Sequence, residues 1–285
     1  MAATKLTTIC VEKPWGRRTL WPGFATVEVG APPIGEIWFA PPDGCDPDLL
    51  VKYLFTSERL SIQVHPDDDA ARVAGYERGK DEAWVVLAAE PDAVIGLGLK
   101  QATTREALYA AALDGSIVDL VDWRPVKAGD VLYSPAGTIH AIGAGVTVIE
   151  VQQSLDLTYR LYDYDRPREL HLDAGLAVST ANAGVDLQNT VVENIPDRNK
   201  GTGKTVLVDS EKFRLEHWCE AGAHRIEMPD DVAYWLIPVT GAGMIEGAAF
   251  TAGECWMLNG AATLEQHEGS EVLIALPPQR PTSAT

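Results

Sequence analysis

The stretch ERLSIQVHPDDD, Glu58 to Asp69, holds residue types suited to divalent-metal chemistry. Side chains of a strand alternate in direction, so Gln63 and His65 project to one face while Ile62 and Val64 turn to the other and can enter a core. Pro66 cannot donate to a sheet ladder and ends the strand. A glutamine oxygen and an imidazole nitrogen on one face, beside a loop rich in carboxylates, make half a metal site. Taken alone, the same stretch also reads as a surface strand with a stray histidine.

An internal repeat supplies the other half. AGDVLYSPAGTIHA (128–141) aligns without gaps on AGECWMLNGAATLE (252–265), and EAWVVL (82–87) aligns on VAYWLI (232–237). A weaker match lays SERLSIQVH (57–65) on SEKFRLEHW (210–218). In these alignments Glu82 falls on Val232, His140 on Leu264 and His65 on Trp218. The second copy keeps the apolar pattern and lacks the polar residues. Residues needed only to satisfy the fold should recur in both copies, so the contrast points to chemistry in the first. The expected set is Gln63, His65, Glu82 and His140, which suits Zn²⁺ or another borderline divalent ion and leaves a coordination position open.

The elements that must position this set read mostly as short strands with turn signals. LLVKYLF precedes the Gln63–His65 pair, RLSIQV carries Gln63 itself, and EAWVVL and AVIGLGL follow around the Glu90-Pro91-Asp92 turn. Asp67 to Arg78 is polar and Ala-containing, and a short helix is expected there. Thr103 to Trp123 begins with threonines suited to an N-cap and is rich in Ala and Leu, so one or two helices are expected there. The two better repeat matches differ in offset by 26 residues, and an inserted helical segment in the first copy accounts for this. Repeated short strands point to a double-sheet barrel of the jelly-roll or cupin kind. The fold class expected is all-β with a small helical insertion, built as tandem cupin units. Residues 1–195 would form the first unit and 196–285 the second, with NIPDRNKGTGK (194–204) as a linker.

Composition bounds the function. A chain of 285 residues can bury a large core. Its net charge of −18 disfavours nucleic acid and anionic membranes as partners, and makes any cation clustered near a pocket more informative. No apolar run approaches the roughly 18 residues of a membrane span, and MAATKLTTICVEKPWG shows no secretory apolar stretch. Cys10, Cys45, Cys219 and Cys255 are scattered without CxxC spacing, as free thiols of a cytoplasmic protein would be. Trp15, Trp21 and Trp38 read as packing residues.

LSIQVHPDD, GKDEAW, PAGTIHAIG and EVQQSLDLTYRLYD, in that order and with KPWG near the start, resemble the motif set of the zinc-dependent type I mannose-6-phosphate isomerases. Two residues depart from the pattern: Asp81, where Thr or Pro is common, and Leu155, where a small polar residue often precedes Asp156. The resemblance implies one Zn²⁺ per chain held by Gln63, His65, Glu82 and His140. It implies a phosphosugar substrate, mannose 6-phosphate interconverting with fructose 6-phosphate through an enediol. Glu150, Lys80 and Arg160 match catalytic residues of the family, and Ser61, Lys80 and Arg160 match substrate-binding ones. Two alternatives stand beside this: another metal-dependent cupin enzyme, or a non-catalytic sugar-phosphate-binding cupin.

Overall fold

A computed structural model describes residues 3–21, 23–180, 191–192, 203–230 and 232–278. The chain opens with β1 (Ala3–Lys5), β2 (Thr7–Arg17), β3 (Ile34–Ala40), β4 (Leu49–Phe55), β5 (Ile62–Val64), α1 (Asp68–Val73), β6 (Glu82–Ala89) and β7 (Val94–Leu99). It continues through α2 (Arg105–Asp114), α3 (Ile117–Leu120), β8 (Val121–Pro125), β9 (Val131–Ser134), β10 (His140–Ile142), β11 (Val146–Gln153), β12 (Tyr159–Tyr162), α4 (Leu172–Val178) and β13 (Val191–Val192). The remainder is β14 (Lys204–Asp209), β15 (Arg214–Trp218), β16 (Gly222–Ile226), β17 (Ala233–Thr240), β18 (Ala242–Ile245), β19 (Ala248–Thr251), β20 (Trp256–Asn259), β21 (Ala262–Gln266) and β22 (Glu271–Leu276).

These strands form four sheets stacked in order, with the helices outside one end. The first unit pairs β13-β9-β6-β11-β4-β3-β2 with β12-β5-β10-β7-β8, and the second pairs β1-β20-β17-β22-β15-β14 with β16-β21-β18-β19. Alternation assigns each central strand two cores. On β6, Trp84 and Val86 face the interior of the first unit, among Leu54, Ile95, Leu97 and Val148. Ala83, Val85 and Leu87 face the other way, against Trp235, Ile237, Leu215 and Leu273 of the second unit. Two large sheets thus share one apolar layer. The second interior is closed by Trp218, Tyr234, Leu236, Phe250 and Leu264. The all-β tandem jelly-roll expectation is met. The N-terminal β1 pairs with β20, in the sheet of the second unit.

The helical insertion lies where the sequence places it, as α2 and α3, but it stops at Leu120. Val121–Pro125 is a strand on β7, because Val121 is buried and Asp122, Trp123 and Arg124 are only partly so. The α2 N-cap is Thr104, whose hydroxyl accepts from Ala107 N at 3.1 Å, and Gly115 closes the helix at φ 83°. These helices cover Ile62, Val64, Ile139 and Leu161 on the outer face of the small sheet. No helix among the described residues is long and apolar enough to cross a membrane.

Topology corrects one repeat alignment. β15 sits beside β22 as β4 sits beside β11, whereas β16 pairs with β21 as β5 pairs with β10. The match of 57–65 on 210–218 therefore fails, and Trp218 is not the counterpart of His65. Gln63 lies opposite His140, and His224 lies opposite Leu264, which puts Ile226 in the place of His65. A second correction concerns register. Glu82 lies opposite Ser134, but Tyr234 lies opposite Leu258. Tyr234 rather than Val232 thus takes the place of Glu82, a shift of two residues that keeps the face.

The shared layer should make the two units unfold together. Trp235→Ala would open a cavity there and cost about 3–5 kcal/mol, read as a shift of one cooperative transition in calorimetry. Two separated transitions in the unaltered protein would show that the layer does not couple the units.

Candidate metal centre and its cavity

Each residue of the expected metal set reaches the interior between the two sheets of the first unit. Gln63 and His140 are paired on adjacent strands β5 and β10. Glu82 opens β6 on the facing sheet. His65 follows β5, next to the Pro66 that stops it. Gly79 lets the chain return from α1 to β6, since a Cβ there would lie 2.5 Å from the carbonyl carbon of Asp67.

Ligand-capable atoms of His65, Glu82 and His140 all lie within 4.8 Å of one another. His65 Nε2 is 3.4 Å from Glu82 Oε1, and His140 Nε2 is 3.3 Å from Oε2. The second ring nitrogens settle the tautomers. His65 Nδ1 donates to the Leu157 carbonyl and His140 Nδ1 to that of Thr138, both at 2.9 Å. A carbonyl only accepts, so each Nε2 carries a lone pair beside a Glu82 oxygen; Lys80 Nζ also reaches His65 Nε2 at 3.3 Å. Burial pushes both imidazole pKa values below the ordinary value, with Lys80 adding to the effect, so protonation does not relieve the opposition. Burial alone would raise the Glu82 carboxyl, but the Lys80 ammonium outweighs it and holds it below its usual range. Neither Glu82 oxygen has a well-directed hydrogen-bond donor among the described residues; Lys80 Nζ reaches Oε1 at 2.8 Å as an ion contact. Four lone-pair donors converging in a buried space is a donor set for a cation, and the residues present fit one.

Gln63 completes the set. Its Nε2 faces the two imidazole Nε2 atoms at 3.4 and 3.3 Å, and its Oε1 accepts from Ser61 Oγ at 3.0 Å. Turning the amide over exchanges these roles, presenting Oε1 to the centre and Nε2 to Ser61.

A cavity of about 200 Å³ adjoins this centre. Ser61, Gln63, Lys80, Glu150 and Arg160 all line it, so the expected site residues lie together. Trp84 Nε1 donates to Glu150 Oε1 at 2.9 Å. Arg160 has no ion-pair or side-chain hydrogen-bond partner among the described residues. Its pKa is lowered, first by burial and then by Arg168, so it faces the cavity beside a like charge.

Sequence reading missed three cavity residues. Lys52 is 4% exposed, lies 3.5 Å from Glu150 Oε2 and sits 4.2 Å over the Trp38 ring. A lysine inside the apolar run LLVKYLF was the available signal. Arg168 is held by two bonds of 2.6 Å to the buried Asp163 carboxylate, and nothing in its local sequence marks it. Trp38, read as packing, lines the cavity and donates to Glu36 at 2.5 Å.

The two departures have structural accounts. Asp81 accepts from Tyr133 Oη and, at 3.1 Å, from Ala136 N. Leu155 is buried, and its carbonyl accepts from Gln152 Nε2 at 2.9 Å, which leaves Asp156 in the cavity wall.

No protein-family model matches the chain. It is 35% identical over 238 residues to the mannose-6-phosphate isomerase of Streptococcus mutans serotype c, covering 80% of this chain and 73% of that protein. It is 36% identical over 203 residues to mannose-6-phosphate isomerase ManA of Bacillus subtilis, covering 67% of this chain and 63% of that protein. In fold it is similar to the crystal structure of a mannose 6-phosphate isomerase from Bacillus subtilis, with TM-score 0.76 at 24% identity over 96% of this chain and 99% of that one. A phosphomannose isomerase variant from Salmonella typhimurium superposes with TM-score 0.74 at 13% identity, over 98% of this chain and 100% of that chain. With relatives of this identity and coverage, a matching fold and a donor set for a cation beside a cationic cavity, the chain belongs to the mannose-6-phosphate isomerase family.

Proposed function

We propose that this chain interconverts mannose 6-phosphate and fructose 6-phosphate, using one Zn²⁺ held by Gln63, His65, Glu82 and His140. The observation that carries the reading is the lone-pair cluster opening onto a cavity lined by Lys80, Glu150 and Arg160. The reaction moves one hydrogen from carbon 2 to carbon 1 and another from the oxygen on carbon 2 to that on carbon 1. The metal, when bound, supplies Lewis acidity toward the sugar oxygens. The remaining work falls to side chains.

Glu150 is our candidate base for the carbon-bound proton. Trp84 and Lys52 fix its two oxygens from opposite sides, which orients the carboxylate before substrate arrives. Lys80 keeps its charge beside Glu82: burial acts to lower its pKa, but Glu82 and Glu150 raise it above the ordinary value. An ammonium held there can stabilise negative charge growing on the enediol oxygens. Arg160 offers an unpaired planar fork to enediolate or phosphate, and Ser61 offers a hydroxyl on the same strand face as Gln63. We assign residues 1–195, apart from β1 in the sheet of the second unit, to the metal-holding unit and 196–285 to a second unit without metal ligands. The free cysteines support a cytoplasmic location.

A coupled isomerase assay tests the reading directly, and turnover absent from the zinc-loaded protein would overturn it. Metal analysis should find one ion per chain, strongly depleted in His140→Ala. Arg160→Ala should cut kcat more than it raises KM, by roughly 100-fold in kcat/KM. Arg160→Lys should also be impaired, because a point charge does not reproduce the fork. Wild-type kinetics in both would remove Arg160 from the pocket.

The histidines set a pH response of the metal-free protein. Their folded pKa values lie below the unfolded value of about 6.5, so the unfolded chain takes up protons first as pH falls. Stability should be full above that pH and decline as pH drops through the folded values. Melting curves across this range check it, and His65→Leu should flatten the slope.

A further inference from the structure

The second unit carries no counterpart of the donor set among the described residues, yet one of its turns reaches Asp68 and Tyr133, which anchor the segment that carries Lys80 and Glu82. We propose that Lys212 is a positioning residue, through which the second unit fixes Lys80 and Glu82 at the metal centre. The inference rests on the isomerase reading for its catalytic consequence and on geometry alone for its structural one.

The turn between β14 and β15 is rigid by its own bonds. Ser210 Oγ accepts from the backbone N–H of Lys212 at 3.2 Å and of Phe213 at 3.1 Å, and it donates to the Phe213 carbonyl at 2.9 Å. Two arms leave this turn. In the first, Lys212 Nζ donates to Asp68 Oδ2 at 2.8 Å. The other oxygen, Asp68 Oδ1, accepts from Gly79 N at 2.8 Å and from Gln153 Nε2 at 3.1 Å. Gln153 Oε1 in turn accepts from Asp81 N at 3.0 Å, and Gln153 N donates to Asp81 O at 3.0 Å. In the second arm, the Phe213 ring packs edge-on against Tyr133 at 5.8 Å between centroids, and Tyr133 Oη donates to Asp81.

Both arms end on the residues flanking Lys80. Gly79 is held on one side and Asp81 on the other, while Lys80 N donates to Pro66 O at 3.0 Å. The backbone from Gly79 to Glu82 therefore has every anchor it needs to fix where the Lys80 ammonium and Glu82 carboxylate point. Lys212 is the only member of the first arm that comes from the second unit. The Lys212 and Asp68 side chains are 31% and 22% exposed, and a part-exposed ion pair contributes little to stability. Its loss should hardly move the melting temperature. A displaced ammonium at a reacting oxygen costs rate steeply, so catalysis and stability separate.

The test uses the full-length protein loaded with Co²⁺, whose visible absorption reports ligand geometry, together with its zinc form. Lys212→Met should lower kcat about fivefold with KM nearly unchanged, and should speed metal release into a chelator by a similar factor. The Co²⁺ bands should shift, and Lys212→Arg should restore most of each. Asp68→Asn should act in the same direction, and the double variant should be no worse than the more impaired single one, as members of one chain of contacts behave. Lys212→Gln serves if Lys212→Met folds poorly. Wild-type kcat, release rate and spectrum in the Lys212 variants would overturn the proposal while leaving the isomerase reading intact. If the unaltered protein shows no turnover, metal release and the cobalt spectrum still decide the positioning role.

Discussion

Two imidazole lone pairs and a carboxylate face one another in a buried space beside the cavity. His65, Glu82 and His140 are each 1% exposed. Acceptors this close repel, and a buried carboxylate without solvent is costly. Much of the first unit is arranged so that this opposition is tolerable. The carbonyls of Leu157 and Thr138 lock the tautomers. Lys80 lends a positive charge at the edge. The short strands β5 and β10 are held side by side so that Gln63 can close the set. A cation in the centre turns the same repulsion into binding.

The second unit shows the alternative resolution. Its barrel has the same strand order, but Ile226, Tyr234 and Leu264 stand where His65, Glu82 and His140 stand in the first. A filled apolar interior is easier to stabilise than a polar set held apart. This unit presents its large sheet to the first, and that common layer fixes the back of β4, β6 and β11. Lys52, Glu82 and Glu150 lie on the other side of those three strands. The rigidity of the cavity wall and the burial of Trp235 and Leu273 are thus two faces of one sheet.

Much of this was legible in the sequence, and the exceptions are instructive. Alternation placed Gln63 and His65 on one side, and LLVKYLF became β4 residue for residue. Contrast between the repeats singled out Glu82 and His140, because a lost polar residue in a preserved apolar frame stands out. The same comparison misplaced His65's counterpart, since β4 and β5 are both short strands flanked by Ser-Glu and only sheet order tells which one β15 replaces. The two-residue register shift at Tyr234 was hidden because it preserves the face. Lys52 and Arg168 escaped for another reason. The apolar run marks Lys52 as unusual but not its partner Glu150, which is distant in the chain, and Arg168 reaches the cavity only because its loop folds back.

The electrostatics of the cavity follow from its depth. A net charge of −18 repels a phosphate-bearing ligand at long range, but that field is screened beyond about 8 Å at physiological salt. Inside, Lys13, Lys52, Lys80, Arg160 and Arg168 line the same space as Glu36, Glu150 and Asp156. Most of these cations are already engaged: Lys13 with Glu36, Lys52 and Lys80 with buried carboxylates, Arg168 with Asp163. Each pairing makes burial of the charge tolerable and also lowers the pull that cation can exert on an incoming anion. Arg160 is different. It is half-buried, its pKa is lowered first by burial and then by Arg168, and its side chain has no ion pair or hydrogen bond among the described residues. An anionic ligand seated there would relieve two like charges at once, because Arg160 is the cavity cation left without an ion pair among the described residues.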